Sequence, residues 1–358
     1  MNLPLITSDA VEPLLARVAS GEHLSLEEMA VAVDGIMRGL WNEAQIAGLL
    51  LDLRKKGETI DEIAGAAAAM RRHMTPIATR RRQIVDTCGT GGNASGIFNV
   101  STAAALVAAA AGAAVAKHGN RRVTSKSGSA DVLAELGVNV QAGIDCVSQC
   151  LDELGICFCF APLCHAAMKH VAPVRARLGV PTIFNLLGPL TNPAGAPYQL
   201  MGVGRDELRP KLAAALARLG ATRALVVHGA DGLGEITIST ATRVTEVREG
   251  RLLEHTWSPA DFGLTPSPLD NLRVDGPADS ARRIRQVLDG ASGPARDIIV
   301  INAAAALWLV GKADSLPSAA ELADAALRSG AAAQLLERLI ERTAAVTQVE
   351  QLNRVHHP

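Results

Sequence analysis

The amino-acid sequence predicts an α/β protein in which a small N-terminal helical domain precedes a larger α/β domain with a mainly parallel central sheet. No strand candidate precedes residue 83, whereas from Gln83 onward short apolar strands alternate with helical segments. About half of the 358 residues are apolar, so the chain can bury the cores of two domains. The expected domains are residues 1–75, joined by part of 165–195, and residues 76–358.

The N-terminal region carries three helix-start signals. At Ser25, Asn42 and Thr59, a capping residue stands three positions before Glu or Gln, a spacing that can satisfy otherwise unpaired amides. Apolar residues recur at helical spacing within 46–53. The basic stretch RRHMTPIATRRR, residues 71–82, contains a proline and is expected to be a hinge or linker.

The larger domain is predicted to begin with the strand IVDT, followed by a glycine loop and a helix from Thr102. Further strand candidates are AAVAKHG, VNVQ, GICFCFA, YQLMGVG and RALVVHG. SADVLAELG is predicted to be a helix with Ser129 as its N-cap, and VTEVREGRLLEHTW a β-hairpin that turns at Gly250. The remaining tail is predicted to be largely helical. Because ligands of such folds bind at the carboxyl ends of strands, we expect the functional residues there.

Charge and hydropathy narrow the class of protein. The net charge of −1 argues against a nucleic-acid or anionic-membrane partner. The N-terminus has no basic segment followed by an apolar core, and the most apolar run, residues 103–116, is too short to span a bilayer. The expected location is therefore the cytoplasm.

The chain has six cysteines, five of them between residues 146 and 164. Their spacings contain no paired C-x2-C motif, and Cys157 and Cys159 would share one face of a strand. We expect reduced, buried structural thiols, with a metal or redox role as the alternative.

The stretch DTCGTGGNASGIFNVSTAA begins at Asp86 and has the composition of an anion-binding loop. Glycines allow the backbone to approach a phosphate, and the N–H groups at the following helix start favour negative charge. Ser101 and Thr102 add hydroxyls at that helix start. Without the Lys-Ser/Thr of a P-loop, the alternative is a simple tight turn.

Three later stretches carry further polar residues. AKHGNRRVTSKSGSADVLAELG places several cations beside glycines and suits phosphate, although a solvated basic loop is the alternative. His165 and Arg175 lie among proline-fixed turns and could face a small anion. In VVHGADGLGEITI, Glu235 and Asp231 are candidate Mg²⁺ ligands, and for Asp231 we favour the role of a turn residue.

Taken together, these motifs resemble the anthranilate phosphoribosyltransferase family over nearly the whole chain. The resemblance rests on GTGG with FNVSTAA, AKHGNR with SKSGSADVLAELG, APVRARLG with TIFNLLGPLTNPAG, and VVHGADGLGE, in that order and spacing. It implies a hinged helical domain, a homodimer formed through it, and Mg²⁺ as cofactor. It also implies transfer of phosphoribose from phosphoribosyl pyrophosphate to anthranilate, with release of pyrophosphate, in tryptophan biosynthesis.

The resemblance further implies which residues contact the substrates. Those expected at phosphoribosyl pyrophosphate are Gly89, Gly91, Gly92, Asn93, Asn99, Ser101, Thr102, Lys117 and Ser129. Those expected at anthranilate are Gly89, His118, Asn120, His165 and Arg175. The expected magnesium ligands are Ser101 and Glu235. Such a transfer needs no covalent nucleophile, so we expect Asn120, His118 and Arg175 to position the reactants.

Four positions depart from the family pattern. Asn93 and Gly234 each stand where an aspartate is usual, Ala166 replaces a proline and Pro181 replaces an arginine. The first two changes remove carboxylates near the diphosphate, so a second Mg²⁺ site at residue 234 is predicted to be weak or absent.

The departures leave three alternatives open. The first is a paralogue with an altered acceptor or weakened metal-dependent activity. The second is a pyrimidine nucleoside phosphorylase, which would carry a different phosphate motif in place of AKHGNR. The third is a non-catalytic nucleic-acid-binding relative, against which the near-zero net charge argues.

Overall fold

The structure, a computed structural model, describes residues 8–91, 96–121 and 127–355. Its strands are β1 (Ile84–Asp86), β2 (Ala114–Gly119), β3 (Ile156–Phe160), β4 (Tyr198–Gly202), β5 (Arg223–Gly229), β6 (Thr242–Arg248) and β7 (Arg251–Trp257). Its α-helices are α1 (Ser8–Ala19), α2 (Leu26–Met37), α3 (Glu43–Lys56), α4 (Ile60–His73), α5 (Val100–Ala110), α6 (Ser129–Glu135), α7 (Ile144–Leu154), α8 (Ala161–Cys164), α9 (Ala172–Leu178), α10 (Phe184–Leu187), α11 (Leu208–Arg218), α12 (Pro277–Leu288), α13 (Pro294–Leu309), α14 (Leu316–Arg328) and α15 (Ala331–Val355). Short 3-10 helices span Ala166–His170, Gly188–Leu190, Pro259–Phe262 and Asp270–Leu272.

All seven strands form one sheet in the order β3-β2-β1-β4-β5-β6-β7. Strands β1 to β5 are parallel, and the hairpin β6–β7 adds two antiparallel strands. The mainly parallel sheet and the hairpin are therefore confirmed. After β3 the chain crosses to the other side of β1, so the carboxyl ends of β1 and β4 flank the point where the strand order reverses.

The N-terminal region is a bundle of four helices, α1 to α4. All three expected capping boxes are present, at Ser25, Asn42 and Thr59, and each joins the cap residue to the backbone and side chain three positions later. The bundle shares its hydrophobic core with the later segment 171–190 and with one face of β4 and β5. The opposite face of the sheet packs on α5, α13 and α15 in a second core. The domain boundary at residue 75 stays a prediction.

The connection after α4 runs beside later parts of the chain. The Thr75 N–H donates to the carbonyl of Cys164 at 2.8 Å, and the Ile77 N–H donates to that of Pro193 at 3.0 Å. These bonds tie the connection to both ends of the segment 164–193. Within the described ranges, no helix has the length and apolar character needed to cross a membrane.

One predicted strand and two predicted helix starts were wrong. VNVQ forms a loop, because the Asn139 carboxamide accepts the Gln141 N–H at 3.1 Å and its own N–H donates to Thr343 Oγ1 of α15 at 3.1 Å. Helix α5 begins at Val100, two residues earlier than expected. Helix α6 is capped by Gly128 and not by Ser129, since the Asp131 carboxylate accepts the Gly128 N–H at 3.3 Å.

Candidate active site

Three glycine-containing loops meet at the carboxyl ends of β1, β4 and β5. The Thr90 N–H donates to the carbonyl of Gly202 at 2.9 Å. A Cβ placed on Gly89 would lie 2.6 Å from the Gly202 oxygen, and one placed on Gly202 would lie 1.7 Å from the Gly234 oxygen. The loops therefore pack backbone against backbone, which only glycine allows at these positions. This packing brings the residue after Gly234, Glu235, beside the β1 loop.

Lys117, at the end of β2, is the central cation of this crevice. Its side chain is 4 % exposed, and Nζ donates to Ser101 Oγ at 3.2 Å and more weakly to Thr87 Oγ1 at 3.5 Å. Ser101 is placed there because it lies in the first turn of α5. We call Gly89, Ser101, Lys117 and Glu235 the lysine half of the site.

Glu235 is suited to hold a cation. It is partly exposed, and its carboxylate has no hydrogen-bond or ion-pair partner among the residues that the structure describes. Removal from water raises the pKa of Glu235 to about 7, against the opposing charge of Lys117. Mg²⁺ takes carboxylate and other oxygen ligands and keeps several waters, so Glu235 and the Ser101 hydroxyl fit the ion.

Asp231, the other acidic residue of this loop, is engaged in local bonding. Its carboxylate accepts the Leu233 N–H at 3.1 Å, the Thr237 hydroxyl at 2.6 Å and the Ser239 hydroxyl. The structure thus supports its interpretation as a turn residue.

Two histidines face each other on the neighbouring side of the crevice. His118 Nδ1 lies 2.9 Å from the carbonyl of Gly188, which can only accept, so this nitrogen carries the proton. Its Nε2 can then accept the Nε2–H of His165 at 3.2 Å. Burial lowers the pKa of His118 to about 4 and, together with the proximity of His118, that of His165 to about 3. Both rings are therefore neutral at neutral pH.

Arg175, on α9, supplies a cation to the same segment of the chain. Nη2 donates to Asn185 Oδ1 at 3.5 Å, and the guanidinium lies 5.8 Å from the centre of the Phe184 ring. Burial lowers its pKa, but an arginine stays charged. A guanidinium held in this way can bind a carboxylate. We call His118, His165, Gly188 and Arg175 the histidine half of the site.

Asp86 joins the two halves, and sequence reasoning missed it. The side chain is fully buried, and Oδ1 accepts the Cys88 N–H at 3.0 Å and the His118 N–H at 3.1 Å. Burial raises the pKa of Asp86 to about 6, while the Asn192 side chain and the charge of Lys117 oppose the rise. The signal was a carboxylate at the last position of a strand, directly before the glycine loop. Gly202, also missed, ends its strand in the same way.

Asn99 and Asn120 hold neighbouring loops. The Asn99 N–H donates to Ser280 Oγ at 2.9 Å, and its side-chain oxygen accepts the Ser127 hydroxyl at 2.7 Å. Asn120 is exposed, and its carboxamide oxygen accepts the Arg121 N–H at 2.7 Å. Both asparagines therefore hold loops that border the crevice.

The remaining expected ligands differ in their placement. Gly91 is exposed with a φ of 66°, and the Ser129 hydroxyl donates to the Asn120 carbonyl at 3.4 Å. Thr102 is 1 % exposed, and its hydroxyl has no partner within the described part of the chain. The structure therefore does not bring the Thr102 hydroxyl to the crevice surface. Outside the described residues lie Gly92 and Asn93.

The cysteines are all free thiols. Cys157 and Cys159 share one face of β3, with their sulfurs 3.8 Å apart, and burial raises the pKa of Cys159 well above its ordinary value. Among the described residues, the five cysteines of 146–164 do not form a group of metal ligands. This supports reduced structural thiols.

Comparison with known proteins supports one family for both domains. Residues 12–74 match the helical bundle domain of the glycosyl transferase family, and residues 81–333 match its a/b domain. The chain is 48 % identical over 342 residues to an anthranilate phosphoribosyltransferase of Rhodopirellula baltica, covering 94 % of this chain and 100 % of that protein. It is 50 % identical over 326 residues to that of Moorella thermoacetica, covering 91 % and 96 %.

Solved structures agree with this assignment. The crystal structure of anthranilate phosphoribosyltransferase from Thermus thermophilus superimposes with a TM-score of 0.87 at 44 % identity, covering 92 % of this chain and 99 % of that one. The enzyme from Saccharomyces cerevisiae in complex with phosphoribosyl pyrophosphate and Mg has a TM-score of 0.85 at 29 % identity, covering 95 % and 99 %. The family expected from the motifs is confirmed, and this chain belongs to the anthranilate phosphoribosyltransferases.

Proposed function

We propose that this chain transfers the phosphoribosyl group of phosphoribosyl pyrophosphate to the amine of anthranilate, giving N-(5-phosphoribosyl)anthranilate and pyrophosphate. The observation that carries the proposal is the meeting of two unlike surfaces in one crevice: the lysine half, with an ammonium and an open carboxylate, and the histidine half, with two neutral rings and one guanidinium. Relatives that share about half of its residues over more than 90 % of its length bear the name of this activity. An altered acceptor is not favoured, because no contact in the site points to one.

The lysine half is suited to the leaving group. As the bond from the sugar carbon to the diphosphate oxygen breaks, negative charge grows on the pyrophosphate, and Lys117 and the backbone amides of the glycine loop would stabilise it. Ser101 and Glu235 would hold Mg²⁺, which supplies further charge neutralisation of the diphosphate.

The histidine half is suited to the acceptor. Arg175 would pair with the anthranilate carboxylate, while neutral His118 and His165 form an uncharged wall that does not compete for it. The amine then bonds to the sugar carbon and loses one proton to solvent. Positioning of the two reactants accounts for catalysis without a covalent intermediate.

The decisive test follows the intrinsic fluorescence of anthranilate. Addition of phosphoribosyl pyrophosphate and Mg²⁺ to the full-length protein is expected to abolish this fluorescence as product forms, while omission of either reagent is the matched control. Retained fluorescence in a protein that binds both substrates would refute the proposal and leave the altered paralogue.

A gel shift with DNA at physiological salt tests the nucleic-acid-binding alternative and is expected to show no complex.

The second test concerns magnesium. Calorimetric titration in the presence of phosphoribosyl pyrophosphate is expected to show one tight Mg²⁺ site that Glu235→Gln weakens, because residue 234 offers no carboxylate. Two tight, carboxylate-dependent sites would contradict this. Asp231→Asn is the matched control, since Asp231 is occupied by loop hydrogen bonds.

We also propose that the chain is a cytoplasmic homodimer joined through the helical bundle. Exposed apolar side chains on and near the bundle, Leu40 and Leu51 among them, support an interface there. Light scattering of the purified protein is expected to give twice the monomer mass, and Leu51→Lys should shift it toward the monomer. Cell fractionation tests the location.

A further inference from the structure

Three ligand-type side chains meet at the base of the crevice, apart from the magnesium ligands proposed above. Asp86, Cys88 and His118 offer a carboxylate oxygen, a thiol sulfur and a ring nitrogen that all lie within 4.8 Å of one another. Ligand atoms of a tetrahedral zinc ion lie roughly 3.3–3.8 Å apart, given metal–ligand bonds of about 2.0–2.3 Å. Movements of about 1 Å or less in the side chains would therefore bring the three atoms onto one ion.

One of these groups lacks a partner. Asp86 is fully buried, and no described residue donates to its Oδ2 with normal hydrogen-bond geometry. The Asn192 carboxamide lies near this carboxylate, but its N–H donates to the Ala116 carbonyl at 2.7 Å. The other oxygen of Asp86 accepts the backbone N–H groups of Cys88 and His118, which holds the carboxylate between the two other ligand residues. A buried oxygen without a donor is costly, and a bound cation would remove that cost.

The donor set selects the kind of metal. One sulfur, one imidazole nitrogen and one carboxylate oxygen suit Zn²⁺ or Co²⁺, whereas Mg²⁺ takes oxygen ligands alone. His118 Nε2 carries no proton and is the ring nitrogen that can bind a metal, and in doing so it gives up the hydrogen bond from His165. Cys88 is partly exposed, so an ion can enter from the crevice. Burial and the charge of Asp86 raise the pKa of the Cys88 thiol to about 12, so the metal must displace the thiol proton. The nearby ammonium of Lys117 disfavours a cation, but once that proton has left, the thiolate and the carboxylate together carry two negative charges.

We propose that Asp86, Cys88 and His118 bind one zinc-like divalent cation at a site distinct from that of Mg²⁺. The Cys88 thiol gives its proton to solvent, a bond forms between its sulfur and the metal, and water completes the coordination. No electron is transferred. Because His118 belongs to the histidine half, occupation of this site inhibits transfer, a consequence that rests on the proposed function, whereas the binding itself does not.

The test uses Co²⁺ as a coloured probe on the full-length protein without substrates. One equivalent is expected to produce the near-ultraviolet charge-transfer absorption of a cobalt–thiolate bond. Cys88→Ser should abolish this absorption and weaken Co²⁺ binding at least tenfold, since even residues that only support a ligand are worth about 10- to 100-fold in affinity. Cys159→Ser, which removes a buried thiol on β3, is the matched control and should leave the absorption unchanged.

A second measurement links the site to activity. With Mg²⁺ saturating, Zn²⁺ should inhibit anthranilate consumption, and Cys88→Ser should raise the half-inhibitory concentration at least tenfold. Circular dichroism confirms that each variant is folded. Absorption that persists in Cys88→Ser, absorption lost only in Cys159→Ser, or none in the parent protein would overturn the proposal. The cobalt readout needs no turnover, so it stands even if the proposed transfer fails.

Discussion

The lysine half and the histidine half are built from neighbouring strand ends by opposite means. In the lysine half, the contacts are made by backbone, because Gly89 and Gly202 bring three loops together, and no described residue pairs with the Glu235 carboxylate. In the histidine half, the contacts are made by side chains, since the His118 ring bonds to the Gly188 carbonyl and to the His165 ring. The lysine half thus leaves an ammonium and a carboxylate open to a ligand, whereas in the histidine half the facing rings are neutral and Arg175 supplies the charge.

This difference matches the two reactants. A diphosphate brings several negative charges, so a surface with an ammonium held only by hydroxyls among the described residues, and with a carboxylate open to a metal, binds it well. An aromatic amine must keep its lone pair available, so neutral rings suit it better than charged ones. Asp86 connects the two halves, because its Oδ1 accepts the backbone N–H of Cys88, next to the lysine half, and that of His118, in the histidine half.

The largest expected effect breaks the lysine half alone. In Gly202→Ala, the new methyl group would lie 1.7 Å from the Gly234 oxygen, so the loop of Glu235 must move. A displacement of about 1 Å costs about 100-fold, and we expect kcat/KM for phosphoribosyl pyrophosphate to fall by at least that factor. Anthranilate binding, measured by fluorescence, should change less than about threefold. Gly143→Ala, where a methyl group meets nothing within 4 Å, is the control.

The next effect breaks the histidine half. Arg175→Ala should raise the KM for anthranilate about 10- to 100-fold, because a hydrogen bond to a charged group is worth about 1.5–3 kcal/mol. The KM for phosphoribosyl pyrophosphate should stay nearly constant, as steady-state kinetics with each substrate varied will show. Arg177→Ala, on the same helix but exposed and paired with Glu43, should change neither constant. Equal effects on both KM values would show that the halves are not separable.

A smaller effect concerns the neutrality of the histidine pair. The pKa of His165 is lowered to about 3 in the folded protein, against an ordinary value near 6.5. Above pH 6.5 the ring is neutral in the folded and the unfolded chain alike, and the lowered pKa costs no stability. As the pH falls from 6.5 toward 3, only the unfolded chain binds the proton, so the folded protein loses stability. His165→Gln should therefore gain stability relative to the parent by roughly 2 kcal/mol between pH 6.5 and pH 5. Urea unfolding at several pH values measures this. A difference that does not vary with pH would contradict the assignment of two neutral rings.

The smallest expected effect is a loss of stability caused by a substitution outside both halves of the site. Asn42→Ala removes the cap of α3, whose side chain accepts the Gln45 N–H at 2.9 Å, and should lower the free energy of unfolding by about 1 kcal/mol. Neither KM should change, because the cap lies in the helical bundle. A kinetic change would mean that general loss of stability, and not local geometry, accounts for the larger effects above.

Local patterns predicted most of the fold. The capping boxes at Ser25, Asn42 and Thr59, the alternation of strands and helices, and the hairpin turn at Gly250 are read from residues a few positions apart. The prediction of a strand at VNVQ was wrong because the conformation of this stretch is decided by hydrogen bonds of Asn139, one of them to Thr343, about two hundred residues away. Its apolar residues are buried as a strand's would be, so composition could not distinguish the two outcomes.

The sequence by itself therefore determined the fold class, the family and most candidate ligands, since these follow from short-range pattern and motif order. Only the tertiary structure decided that Asp86 joins the two halves, that Gly202 sets the position of Glu235, and that the histidines are neutral. Each of these depends on contacts between strand ends that are far apart in the chain. A pKa or a close approach is a property of the surroundings, and sheet topology brings those surroundings together.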